Sequence, residues 1–108
     1  MTTHDQDDER QAVFIHLNAT DLPGEIYEKY DVATLEDSLN EVLRAKALGV
    51  FDGTESGPRE TILFLYGPDA EKLFVGIEQT LRDYPLCRGA KVEIRHDGVG
   101  ASSRIIRL

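Results

Sequence analysis

The sequence predicts an α+β sandwich: an antiparallel sheet with two helices on one face, in the order β-α-β-β-α-β, with room for one further C-terminal strand. Three observations predict it. Segments of strand character alternate with two stretches whose apolar residues recur at helical spacing. A stretch rich in glycine and proline, 52–58, sits between the second and third strands and is short enough for a hairpin. The two most apolar strands are the first and the third, the central pair in such a sandwich.

The first strand covers 12–18, where Val13, Ile15 and Leu17 share one face and Phe14 and His16 the other. Thr20-Asp21-Leu22-Pro23-Gly24 ends it with turn chemistry, and 25–32 forms an irregular turn or a short helix under the core. Thr34-Leu35-Glu36-Asp37 resembles a capping box, in which the threonine oxygen accepts a free backbone N–H and the acid reaches back. Leu35, Leu39, Val42, Leu43 and Ala47 follow as the buried stripe of a helix that Gly49 stops.

Val50-Phe51 opens the second strand, and 52–58 turns the chain, with a bulge expected at a glycine. The third strand, 60–66, is the most apolar. Gly67-Pro68-Asp69 leads into the second helix, with Asp69 as its N-cap, Ala70, Leu73, Phe74, Ile77, Leu81 and Tyr84 as its stripe, and Pro85 as its stop. Residues 90–95 alternate apolar and charged positions, as a half-exposed strand does, and 103–108 returns as a last short strand. This element order is that of the ferredoxin-like sandwich.

At 108 residues the chain has room for one domain, 12–108, preceded by a disordered acidic tail, 1–11. The formal net charge is −8, which disfavours nucleic acid as a partner. The charge is uneven. Arg88, Lys91, Arg95, Arg104 and Arg107 stand against Glu93 and Asp97 in residues 86–108, so that end is net +3 and the rest −11. The acidic body suits a basic protein partner. No apolar run is long enough for a membrane helix, the first residues lack the apolar core of a signal peptide, and the single cysteine fits a reducing compartment; a cytoplasmic location is expected.

No constellation supports catalysis, a cofactor or a metal. Arg88 beside Cys87 favours a thiolate, but no base or resolving cysteine accompanies it, and a structural thiol is the better reading. His96 next to Asp97 reads as a solvated pair, and Asp52, Glu55 and Glu60 around the glycine-rich turn lack a calcium-loop pattern. The one physical anomaly is the third strand. Two helices cover one sheet face, yet Leu63 and Leu65 point one way while Ile62, Phe64 and Tyr66 point the other. One face therefore remains apolar at its centre, and a second copy, another partner, a covering segment (25–32 or the C-terminus) or a small-molecule pocket would each account for it.

The interface candidates are Phe14, His16, Leu63, Leu65 and Tyr66, with Asp52 and Glu55 at the rim. The expected function is a non-enzymatic protein-binding or regulatory module that dimerises or docks a partner through the open sheet face. The alternative is a small-molecule binder or enzyme with a pocket on that face.

The segment Val50-Phe51-Asp52-Gly53-Thr54-Glu55-Ser56-Gly57, followed by Leu65-Tyr66-Gly67-Pro68-Asp69-Ala70-Glu71-Lys72-Leu73-Phe74, resembles a family of small uncharacterised bacterial α+β proteins in which a strand ends in Tyr-Gly-Pro-Asp-Ala and enters a helix. More distantly it is similar to the ribonuclease E regulator proteins. That resemblance implies an acidic, ferredoxin-like, non-catalytic protein. The large acidic extensions of that family are reduced here to the short run 5–9, and no functional residue carries over.

Overall fold

The computed structural model describes residues 11–96 and 103–108. Residues 1–10 of the expected tail 1–11 and the turn at 97–100 lie outside the described residues; Gln11 belongs to the first strand. The elements are β1 (Gln11–Asn18), α1 (Gly24–Lys29), α2 (Val32–Lys46), β2 (Val50–Ser56), β3 (Glu60–Gly67), α3 (Ala70–Asp83), a 3-10 turn (Pro85–Cys87), β4 (Lys91–Arg95) and β5 (Ser103–Arg107). The chain is an α+β protein with a five-stranded sheet in the order β2-β3-β1-β4-β5, every neighbouring pair antiparallel. The first four strands are compatible with the ferredoxin-like order, to which β5 and the short α1 are added.

The core lies between the sheet and the two long helices. Val13, Ile15 and Leu17 of β1, Leu63 and Leu65 of β3, and Val92 and Ile94 of β4 meet Leu35, Leu39 and Leu43 of α2 and Ala70, Leu73, Phe74, Ile77 and Leu81 of α3. Both helical stripes fall at the expected spacing except at their last members: Ala47 is exposed beyond the end of α2, and Tyr84 lies just past the end of α3. Asp69 caps α3 by accepting from the Lys72 N–H at 3.1 Å, and Gln11 Oε1 accepts from the Ala70 N–H at 2.8 Å, so the start of β1 satisfies a second free donor of that helix.

The N-terminus of α2 differs from expectation. Thr34 lies inside the helix and Asp31 is the cap, its carboxylate accepting from the Thr34 N–H at 2.9 Å. Hydrogen bonds from the Thr34 side chain and backbone hold the Asp31 carboxyl below its ordinary range. The reason is tertiary: the Tyr84 hydroxyl donates to the Asp31 carbonyl at 2.7 Å, and Tyr84 meets Tyr30 edge-on, which ties the α1–α2 junction to the end of α3.

At its other end α2 stops two residues earlier than Gly49 would place it, with Ala47 itself in the left-handed conformation (φ 53°). Gly49 does another job: a side chain there would collide with the Tyr66 carbonyl oxygen of β3. β2 also continues further than expected, to Ser56, because a bulge between Phe51 and Gly53 absorbs Asp52 without breaking the ladder.

Candidate functional site

The register arranges the face away from the long helices into three cross-strand rows. The first is Val50, Tyr66, Ala12, Arg95, Ser103; the second is Gly53, Phe64, Phe14, Glu93, Ile105; the third is Glu55, Ile62, His16, Lys91, Arg107. The face therefore has an apolar half and a polar half. In the apolar half Phe14 stands edge-on to Phe64 at 5.0 Å and to Tyr66 at 5.9 Å, and the Arg95 guanidinium lies 5.5 Å from the Phe14 ring centre. Val50 and Ile105, at opposite ends of these rows, are 54% and 51% exposed. None of the three aromatic residues is fully buried.

Leu63 and Leu65 are not part of this surface. Both are wholly buried under the helices, on the side of Ile15 and Val13, their partners on β1. They leave the interface candidates, and Ile62 and Phe64 take their place beside Tyr66, Phe14 and His16. Asp52 and Glu55 are exposed on β2, at one edge of the sheet. The expected covering segments lie elsewhere: β5 extends the sheet sideways and α1 packs on the 3-10 turn.

The polar half opens into a cleft of about 330 Å³ lined by His16, Arg59, Glu60, Lys91 and Arg107, with Asn18, Thr20 and Asp21 along one wall. Both ring nitrogens of His16 are buried and neither makes a hydrogen bond. Glu60 Oε1 lies 3.3 Å from Nδ1 and Glu93 Oε1 lies 3.6 Å from Nε2, near enough for attraction but outside hydrogen-bond geometry.

A second polar cluster sits at the opposite end of β4. Glu71, in the first turn of α3, receives both Arg104 Nε (2.9 Å) and Arg104 Nη2 (2.6 Å), and His96 Nε2 lies 2.9 Å from its Oε2. His96 thus engages Glu71 of the helix. The Arg104 fork, with His96 assisting against the cost of desolvation, holds the Glu71 carboxyl down at about 2. A carboxylate whose folded pKa lies below its ordinary 4.5 stabilises fully above that value and loses the contribution as the pH falls toward 2. Glu71→Gln is expected to lower Tm slightly at pH 7, and thermal melts should show this difference shrinking steadily from pH 5 to pH 2.

Cys87 is buried, and burial pushes its thiol up to about 12; neighbouring Arg88 does not activate it. Among the described residues no group of three or more histidine, cysteine or acidic side chains is placed to hold a metal ion, and no helix is long and apolar enough to cross a membrane. No protein-family model matches the chain, and neither a curated protein nor a solved structure matches it.

Proposed function

We propose that the protein is a cytoplasmic, non-enzymatic binding module of ferredoxin-like build that pairs face to face with a second copy through the apolar half of its open sheet. The observation that carries this reading is the Phe14–Phe64–Tyr66 cluster, flanked by exposed Val50 and Ile105, on a sheet face that α2 and α3 leave uncovered. Grouped aromatic residues on a flat, half-wet surface are the usual anchors of protein interfaces.

Two further features favour a second copy. Asp52 and Glu55 line the β2 edge, whereas Arg95 stands on β4, across the aromatic cluster from them, with its guanidinium beside Phe14. A two-fold axis parallel to the strands lays the acidic edge of one copy toward Arg95 of the other while the aromatic centre meets itself, the self-complementarity an isologous dimer needs. Edge-to-edge pairing is disfavoured, since β2 carries a bulge and β5 carries Arg104 and Arg107. The resemblance to small acidic regulators agrees with a module whose pairing controls its availability to a basic protein.

The test is sedimentation equilibrium over a concentration series, with Phe64→Glu alongside. The wild type is expected to dimerise, more weakly at high salt. The variant should keep its circular dichroism and weaken association at least about 30-fold, the cost of losing a central aromatic anchor. A wild type that stays monomeric at millimolar concentration overturns the reading.

A further inference from the structure

We propose that the polar half of the open face is a binding site for a small phosphorylated molecule, a phosphate monoester held through its phosphoryl oxygens. The first observation is a placement of charge that is costly without a ligand. His16 on β1 is the direct cross-strand partner of Lys91 on β4, and Lys91 is the direct partner of Arg107 on β5. Lys91 and Arg107 are like charges directly opposite one another, an arrangement that destabilises a sheet. The turn between β2 and β3 brings Arg59 to the same cleft, so three permanent cations from separate elements converge there in a chain whose net charge is −8.

The second observation is how the local acids are used. Among the described residues none of Arg59, Lys91 and Arg107 pairs with a carboxylate, although Asp21 and Glu60 line the same cleft. Asp21 accepts instead from Asn18 Nδ2 at 3.2 Å and from the Thr20 hydroxyl at 3.0 Å, and Glu60 lies against His16. The cations are left available to an external anion, and His16 lines the cleft with its ring nitrogens turned between Glu60 and Glu93.

Three cations approaching from two strands and a turn suit a group with three terminal oxygens and up to two negative charges; a carboxylate is satisfied by one bidentate arginine. The volume of about 330 Å³ admits a phosphate with a few further heavy atoms. Asp21 and Glu60 line the site and the chain is acidic overall, which opposes a long polyanion and favours a free monoester over a nucleic acid strand.

The site is argued from the third row and the pairing from the aromatic residues of the first two, so each is tested by its own variants. The test is an NMR titration of the full chain, in 150 mM salt, with inorganic phosphate and then glycerol phosphate. Saturable shifts are expected at His16, Arg59, Lys91 and Arg107, tighter for the monoester. Lys91→Gln and Arg107→Gln are each expected to weaken binding about tenfold, the loss of one charge-assisted hydrogen bond. Circular dichroism checks their folding, and Phe64→Glu should bind as the wild type does. Unsaturable shifts spread over the surface, or binding indifferent to both glutamine variants, would overturn the site; tighter binding of a single-stranded RNA than of the monoester would overturn the ligand class.

Discussion

Leu63→Glu is expected to unfold the protein, whereas Phe64→Glu, one position along the same strand, leaves it folded. Leu63 has no exposed surface and is enclosed by the helices and by Ile15, its partner on β1. A carboxylate placed there loses the leucine's burial and acquires no partner. Removing the leucine side chain alone costs about 2–5 kcal/mol, and an unpaired buried charge adds several more, against a total stability of about 5–15 kcal/mol for a domain. Far-UV circular dichroism in water decides it, with Leu63→Ala as a milder control that should fold with a lowered urea midpoint. A Leu63→Glu chain that folds and merely changes its oligomeric state would put Leu63 on the open face and reverse the assignment of both sheet faces.

Gly49→Ala is the second large effect. The chain leaves α2 and enters β2 so close to β3 that a Cβ on Gly49 would meet the Tyr66 carbonyl oxygen, and the Gly49 φ of 154° is itself awkward for a side chain. The contact is reciprocal: a Cβ on Gly67 would meet the Leu48 carbonyl oxygen and the Leu73 side chain. Backbone cannot yield as a flexible side chain does, so a loss of about 3 kcal/mol is expected, at the upper end of overpacking costs. The control is Gly53→Ala, at the bulge, where an added Cβ meets nothing within 4 Å. Urea denaturation should show a large fall in midpoint for the first and little change for the second. Equal stabilities would mean that the α2–β2 connection relaxes away from β3.

The parts of this fold that were legible in the sequence are those decided locally. Asp69, the stripe from Ala70 to Leu81 and Pro85 bracket α3 without reference to anything distant, and the structure places that helix where they imply. The bulge was likewise announced by a glycine between strand-forming residues. The start of α2 was not decided locally. Asp31 and Thr34 are both competent caps three residues apart, and the choice follows from contacts with Tyr84, more than 50 residues away.

β3 carries apolar side chains on both faces, so its period alone does not tell core from surface. The helix-facing set follows only once β1 is paired with it, Ile15 with Leu63 and Val13 with Leu65. The cleft was hidden for the same reason. The +3 balance of residues 86–108 was visible as composition, but the alignment of His16, Lys91 and Arg107 depends on a register that joins β1 to β4 and β4 to β5. A like-charged pair on neighbouring strands is a signal only after the strands are known to be neighbours.

The position of β1 between β3 and β4 has a consequence for how the chain reaches this structure. Its two partners begin at Glu60 and Lys91, so every bond it makes in the sheet closes a long loop. The β2–β3 hairpin and the helices can form from nearby residues, while Val13, Ile15 and Leu17 wait, with both edges of their strand open, until the second half of the chain arrives. The centre of the native sheet is thus expected to complete its pairing late in folding, and conditions that slow the docking of β4 should raise aggregation before they change the stability of the finished protein.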